Sequence, residues 1–195
     1  MNRLSVSVAA ALTLLAAGAQ AQTVIFSEDF ESFASQVANG GYTVVNANSN
    51  VLNPWTVGSA SVDLVRNAFG AINGVSVDLA GTPGPGTLSR TFNAVAGMTY
   101  TLSFDHFRNG GGTAMTVSFG GTTTTYGVPT AVAHDTLSWT ATASGVQTIS
   151  FGSGAGNLGA TLDNVVLTAV PEPTSYALLL AGVGVLGALS RRRRA

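Results

Sequence analysis

The chain has 195 residues, eight basic and nine acidic side chains, and a formal net charge of −1. Five of the eight basic side chains lie at the two ends, so the residues between them carry three arginines against nine carboxylates, a net charge of −6. These five are Arg3, Arg191, Arg192, Arg193 and Arg194. The excess of negative charge excludes nucleic acid as a partner. The absence of cysteine excludes disulfides and thiolate chemistry.

The first 21 residues have the parts of a secretory signal peptide. Arg3 precedes an apolar stretch over residues 6–17, and Ala19 and Ala21 supply the small side chains that signal peptidase requires. We therefore expect residues 1–21 to form a signal helix that is removed and the mature chain to begin at Gln22. The protein is predicted to be exported.

Residues 22–170 are predicted to form one all-β domain, because apolar residues alternate with polar ones and no stretch has helical spacing. In TYTLSFDHF, for example, Tyr100, Phe104 and His106 share one face of a strand. Eight to ten short strands separated by turn-forming residues indicate an antiparallel β-sandwich of two sheets, a jelly roll. The other predicted strands are VIFSEDF, SVDLVR, VSVDLAG, GTLSRTFNA, TAMTVSFGG, TLSWTATA, VQTISFG and TLDNVVL.

The four-residue sequence Ser-Val-Asp-Leu occurs twice and places Asp63 and Asp78 on two similar strands. We expect both carboxylates to point to solvent from half-buried strands. Adjacent strands would instead bring the two carboxylates together, which is the arrangement that a glycosidase uses.

Other signs of catalysis are few, and we predict that the protein is not an enzyme. His106 alternates in phase with core residues, and His134 stands beside Asp135 in what reads as a solvated pair. No Gly-x-Ser-x-Gly nucleophile turn occurs. Two histidines without cysteine do not favour a zinc site.

Sugar binding would need exposed aromatic rings, which stack on sugar faces. Trp55 follows Pro54 in a loop-like stretch and Tyr126 lies among threonines, so these two rings are the candidates. Core packing is the alternative for each. Trp139 is in phase with Leu137 and is assigned to the core.

The end of the chain combines a Pro-Glu-Pro motif, an apolar run over residues 176–189 and a cluster of four arginines. The motif consists of Pro171, Glu172 and Pro173, and the cluster of Arg191, Arg192, Arg193 and Arg194. At about 1.5 Å per residue, 14 residues span roughly 21 Å of a hydrocarbon core of about 30 Å. The arginines would stop the segment in the membrane and hold its far end in the cytoplasm.

This arrangement resembles the PEP-CTERM sorting signal of Gram-negative bacteria. The resemblance implies that residues 171–195 pass through the inner membrane transiently and that exosortase cuts them off. A permanent anchor is the alternative.

The domain itself is similar to the choice-of-anchor C domain of bacterial surface proteins, which in turn resembles galactose-binding-like jelly rolls. The similarity is carried by WTVGSASVDL, GVSVDLAGTPGPGTLSRTF, VAGMTYTLSFDH, MTVSFGG and GATLDNVVL. In galactose-binding-like modules a structural calcium often ties the first strand to the last, and the matching positions here are Glu31 and Asp163. Calcium prefers such oxygen ligands. The alternative is that Asp163 caps a turn or pairs with Arg90 or Arg108.

These observations predict a non-enzymatic jelly-roll protein that reaches the cell surface or the extracellular matrix of a Gram-negative bacterium. Two functions remain open for the domain. It binds an extracellular polysaccharide, or it is a structural surface or biofilm protein without a specific ligand.

Overall fold

A computed structural model describes residues 21–39, 41–108, 111–127, 129–171, 179–180 and 182–184. Between residues 21 and 171, the described part of the chain forms twelve strands and two short 3-10 helices, Glu31–Gln36 and Asn67–Phe69. The strands are β1 (Thr23–Glu28), β2 (Tyr42–Asn46), β3 (Thr56–Ser59), β4 (Ser61–Arg66), β5 (Val75–Asp78), β6 (Gly86–Ala94), β7 (Met98–Arg108), β8 (Met115–Phe119), β9 (Thr122–Tyr126), β10 (Ala133–Thr140), β11 (Gly145–Ser153) and β12 (Ala160–Pro171). Three short strands that the sequence pattern did not single out, β2, β3 and β9, account for the higher number.

The strands form two sheets. Within each sheet, paired strands run antiparallel. Sheet A has the order β10-β7-β12-β5-β4-β2, with β1 also paired to β12, and sheet B has the order β3-β6-β11-β8-β9. Apolar side chains from both sheets meet in one cluster. The predicted antiparallel β-sandwich of jelly-roll type is confirmed.

Strand β12 is the centre of sheet A because three strands pair with it. It pairs with β7 over most of its length, while Thr161 and Leu162 pair with β5 and the residues from Val165 onwards pair with β1. The change of partner falls at an irregularity between Asp163 and Val166, where Asn164 has a left-handed φ of 48°. An extra residue at such a bulge bends the strand. Strand β12 therefore pairs with both β5 and β1 along the edge that faces away from β7.

The core follows from the alternation that the sequence shows. On β7 the side chains of Tyr100, Leu102 and Phe104 are buried, and the residues between them are partly exposed. The Phe104 ring meets the ring of Phe151, on β11 of the opposite sheet, edge to face at 5.4 Å between centroids. Rings of this size contribute much of the apolar area that stabilises a domain.

The hairpin between β8 and β9 turns at Gly120 and Gly121, whose φ values are 59° and 79°. Two consecutive positive φ values favour glycine at both positions. A Cβ at Gly120 would also lie 2.2 Å from Cγ of Trp139. Trp139 is half-buried on edge strand β10 and packs against the core from there, as the sequence predicted.

Candidate functional site

The last strand of the sandwich runs directly into the Pro-Glu-Pro motif. Pro171 ends β12 and lies opposite Met98 of β7. Ala21 is exposed and precedes β1. The other predicted sorting and processing residues lie outside the described residues; they are Ala19, Glu172, Pro173, Arg191, Arg192, Arg193 and Arg194.

The apolar run before the arginine cluster is described in part. Residues 179–180 and 182–184 are helical. Among the described residues, no helix is both long and apolar enough to cross a bilayer. The predicted membrane stop at Arg191, Arg192, Arg193 and Arg194 therefore stays a prediction from the sequence.

A depression of about 180 Å³ lies on the outer face of sheet A. Strands β4 and β5 turn Val62, Leu64, Val75 and Val77 toward the core, so their alternate side chains face outward into this depression. Its floor includes two aspartates, and its walls come from the loops after β5 and before β12. The lining residues are Tyr42, Asp63, Val65, Phe69, Asp78, Thr82, Asn157 and Leu158.

Asp63 and Asp78 lie directly opposite one another on β4 and β5, as the repeated four-residue sequence allowed. The expectation that both point to solvent is wrong, because they are only 5 % and 2 % exposed. Asp63 accepts hydrogen bonds from the backbone N–H and the hydroxyl of Thr82, and Asp78 accepts them from the N–H groups of Ala80 and Gly159. Burial raises the pKa of Asp63, and the bonds from Thr82 counter this effect. Both carboxylates therefore hold loops over the sheet.

Two aromatic rings form one wall of the depression. Tyr42 on β2 lies opposite Val65, and Phe69 lies in the 3-10 helix that follows β4. The ring centroids are 5.0 Å apart at an angle of 50°, and the two residues are 39 % and 37 % exposed. Ligand pockets are commonly lined by aromatic rings with a few polar groups beside them. Nothing in the local sequence around Tyr42 or Phe69 marks the two rings as a pair.

Trp55, a predicted sugar-binding ring, is a core residue and this prediction is wrong. It is 2 % exposed, and its ring meets Phe26, Phe30 and Phe151 at centroid distances of 5.8, 6.0 and 6.2 Å. Its indole N–H donates to Oε2 of Glu28 at 3.2 Å. A buried tryptophan needs such an acceptor, so the residue closes the core and is not free to stack on a ligand.

Arg90 completes this arrangement from sheet B. Its guanidinium carbon lies 4.0 Å from the centroid of the Phe26 ring and 5.5 Å from that of Trp55, and its Nη1 lies 3.8 Å from Oε2 of Glu28. Burial lowers the pKa of Arg90, and the charge of Glu28 opposes that change. Arg90 thus pairs with Glu28 rather than with Asp163, the partner that the sequence left open.

Tyr126, the other predicted ring, lines a second depression of about 350 Å³ between edge strands β9 and β10. Its ring makes T-shaped contacts with the rings of Phe104 and His106 at centroid distances of 5.3 and 5.4 Å, so the core covers part of it. Burial and the charge of Asp135 raise the pKa of Tyr126. His106 is 3 % exposed, and its Nε2 lies 2.7 Å from Oδ2 of Asp135. Its Nδ1 has no hydrogen-bond partner among the residues that the structure describes. This is the buried histidine that the sequence predicted.

His134 and Asp135 do not pair with each other, in contrast to the expectation of a solvated pair. Neighbouring residues of a strand point to opposite faces, so each reaches a different residue of β7. Nδ1 of His134 lies 2.6 Å from Oδ1 of Asp105 on the outer face, where Asn164 also donates to Asp105. Two histidine–aspartate pairs therefore flank one strand pair, on opposite sides.

Glu31 and Asp163, the predicted calcium ligands, both accept hydrogen bonds from the segment 73–76, and the charge of Glu31 acts on Asp163. Glu31 Oε1 accepts from the N–H of Val75 at 2.7 Å, and Asp163 Oδ2 accepts from the hydroxyl of Ser76 at 2.9 Å. Burial raises the pKa of Asp163 to about 6, and the negative charge of Glu31 adds to the rise. Within the described residues, no group of three or more His, Cys, Asp or Glu side chains is placed to hold a metal.

The comparisons with known proteins identify the end of the chain. The model of the PEP-CTERM protein-sorting motif matches residues 169–194, which confirms the predicted signal and includes all four arginines of the cluster. The match implies an exported protein with a C-terminal membrane-anchor signal that exosortase processes. The first three matched residues, 169–171, form the end of β12 and pair with β7. No curated protein matches the chain.

Several solved structures with carbohydrate ligands or carbohydrate-binding modules are similar to the domain. An exo-β-1,3-galactanase from Phanerochaete chrysosporium with β-1,3-galactotriose is 18 % identical, with 74 % of this chain and 29 % of that chain covered and a TM-score of 0.39. TmCBM61 in complex with β-1,4-galactotriose is 20 % identical over 59 % and 88 %, with a TM-score of 0.43.

The tandem CBM22 domain of Xyn10C from Paenibacillus barcinonensis is 14 % identical over 80 % of this chain and 47 % of that one, with a TM-score of 0.45. The chain spans less than a third of the galactanase. Similarity at this level assigns neither a ligand nor an activity to this chain. The description of the sandwich rests on its own two sheets.

Proposed function

We propose that this protein is an exported, non-catalytic surface or matrix protein of a Gram-negative bacterium that exosortase releases from the inner membrane. The observation that carries the proposal is the match of the sorting motif to residues 169–194, which begins in the last three residues of β12 and continues beyond it. Signal peptidase acts on the other end of the chain. The jelly roll is the part that reaches the cell surface.

The domain's proposed ligand is an extracellular polysaccharide, bound in the depression beside Tyr42 and Phe69. The two rings are exposed in one wall, 5.0 Å apart, and Asn157 lies in the same lining. Asp63 and Asp78 are already engaged by backbone N–H groups, so their part is to shape the floor. A structural role without a ligand is the alternative, and the buried, bonded state of these carboxylates supports it.

Calcium is the proposed structural ion of the domain, held by Glu31 and Asp163. Each oxygen that accepts a hydrogen bond here has a second lone pair, and calcium takes carboxylates of this kind. The two negative charges disfavour each other in the absence of a cation. Calcium takes six to eight oxygen ligands, so backbone carbonyl groups and water would complete the set, and the ion would tie the segment after β1 to β12.

Replacing Tyr42 by alanine is expected to weaken polysaccharide binding about two- to thirteenfold, since a ring contact contributes roughly 0.5–1.5 kcal/mol beyond its buried area. Tyr42→Phe keeps the ring and serves as the matched control. Tyr126→Ala removes the ring of the other depression and is expected to leave affinity unchanged. Affinity electrophoresis against a panel of bacterial and plant polysaccharides measures the effect, with circular dichroism to check the fold.

Two outcomes would count against this ligand assignment. If no polysaccharide binds saturably, the domain is structural and the sorting part of the proposal stands. If Tyr126→Ala loses binding while Tyr42→Ala retains it, the ligand lies between β9 and β10.

A further inference from the structure

One end of the sandwich is defined by the point where the chain leaves it. Pro171 lies opposite Met98 at the last position of the ladder between β12 and β7. The turn before β7 and the turn between β10 and β11 lie at this same end: Gly97 N donates to Ala141 O at 2.8 Å, and Ala96 N donates to Ser144 Oγ at 2.9 Å. We call this set of turns, residues 95–97 and 141–146, together with the start of β1, the exit end.

The exit end carries exposed apolar side chains. Val95 is 54 % exposed, Val146 is 67 % exposed, and Val24 near the start of β1 is 59 % exposed. Val146 lies opposite Asn93 on β6, next to the turn that holds Val95, and Val24 lies opposite Thr168 of β12. These valines therefore lie at the end of the sandwich from which the sorting segment departs.

The exit end is also uncharged among the described residues. Residues 21–25, 93–99, 140–147 and 168–171 contain no Asp, Glu or Arg. In sheet A, Glu28 lies opposite Val165, which is six residues before Pro171. Asp135 lies opposite Phe104, which is six residues after Met98. At about 3.3 Å per residue these carboxylates stand roughly 20 Å away. Apart from Glu172, which directly follows Pro171 in the sorting motif, the domain thus holds its negative charge at a distance from its exit end.

Only four residues, 172–175, separate Pro171 from the apolar run that begins at Tyr176. Five residue steps reach at most about 18 Å, so a tail inserted in a membrane keeps the exit end close to the lipid headgroups. Bacterial membranes carry negative headgroups, which repel carboxylates within a screening length of about 8 Å. Carboxylates roughly 20 Å away are outside that range.

We propose that the exit end is a docking surface for the lipid headgroups of the membrane that holds the tail, so that the precursor stands end-on before it is cut. This inference rests on the sorting function proposed above. In this orientation Val95 and Val146 face the lipid, and the depression beside Tyr42 remains open to solvent. The motif is then presented at the membrane surface, where a membrane protease acts.

The test uses the full chain in vesicles of phosphatidylethanolamine and phosphatidylglycerol with nitroxide-labelled headgroups. Because the chain has no cysteine, Val146→Cys, Val95→Cys and Val132→Cys each accept a single fluorescent label. Val132 is 50 % exposed and directly precedes β10. The first residue of β10 lies opposite His106, which is eight residues from Met98, so Val132 lies far from the exit end. The labels at 146 and 95 are expected to be quenched by the headgroups and the label at 132 is not. Equal quenching at 132 and 146, or none at 146, overturns the proposal.

Substitutions of opposite charge at position 95 distinguish docking on a lipid surface from docking on a protein partner. In the chain labelled at 146, Val95→Glu is expected to lower the ratio of docked to undocked domain about fivefold, the factor for roughly 1 kcal/mol of charge–surface interaction, and Val95→Arg is expected to raise it. Val132→Glu is the matched control and changes nothing. An equal loss with Glu and Arg overturns the assignment to lipid.

Processing of the unmodified chain in cells that contain exosortase is measured in parallel. A chain that is not processed contradicts the proposed function, whereas the quenching pattern requires only that the tail inserts. A chain that is processed normally but shows no difference between positions 146 and 132 contradicts the docking inference alone.

Discussion

Replacing Glu172 by alanine is expected to change processing from complete to none while export continues. The signal peptide and the apolar run are unchanged by this substitution, so the protein still crosses the inner membrane and still stops there. Only the Pro-Glu-Pro motif, which lies in the matched segment 169–194, is altered. The full-length precursor should therefore accumulate in the inner membrane. Fractionation followed by immunoblotting with an antibody against the domain measures this result.

Thr174→Ala, two residues away and outside the motif, is the matched control and should mature normally. The host must contain exosortase, and a host without it should reproduce the Glu172→Ala pattern with the natural chain. Recovery of the Glu172→Ala protein at the surface with its normal, shortened mass would show that the motif is not what the protease recognises.

The metal-free domain is expected to lose stability as the pH rises through 6, because of Asp163. The folded-state pKa of this carboxyl is about 6, against an ordinary value of 3.8, and burial is the main cause. A raised pKa means that the folded state holds the proton more tightly than the unfolded state does, so its contribution to stability is full below pH 4 and is lost above pH 6. The loss is at most about 3 kcal/mol, at roughly 1.4 kcal/mol per pH unit.

Asp163→Asn isolates this effect, because an amide does not titrate. The difference in unfolding free energy between the variant and the natural domain should grow in favour of the variant between pH 4 and pH 7 in chelator. With calcium at pH 7.5, the natural domain should melt at a higher temperature than in chelator, since a metal that binds only the folded state stabilises it. Asp163→Asn should show no such shift. Equal melting temperatures of the natural domain with calcium and with chelator would remove the calcium proposal.

The sandwich could be predicted from the sequence because its strands carry their pattern locally. The alternation of Tyr100, Phe104 and His106 is visible within nine residues, and the structure buries all three. Turn-forming residues mark most strand ends. Strand β9 was missed since four consecutive threonines show no alternation of apolar and polar residues. The pairing of β1 and β5 with the same side of β12 follows from a bulge that has no local signature.

The candidate site could be predicted only in part, since its residues meet through long-range pairing. Tyr42 and Phe69 are 27 positions apart and become neighbours when β2 pairs with β4. Trp55 follows a proline and reads as a loop residue, yet its partners Glu28 and Phe151 lie far away in the chain. Asp63 and Asp78 alternate as exposed residues do, but loops from two other places fold over them. The sorting motif, by contrast, is contiguous and was found in full.

The intact mass of the protein recovered from the cell surface shows whether both ends of the chain are removed. We expect one species that begins at Gln22 and ends between Pro171 and Thr174, apart from any group that processing adds at the new end. Such a chain has lost both the signal peptide and the arginine cluster. A surface species that still begins at Met1, or one that keeps the cluster from Arg191 to Arg194, would show that the sorting signal is not removed as proposed or that export leaves the signal peptide in place.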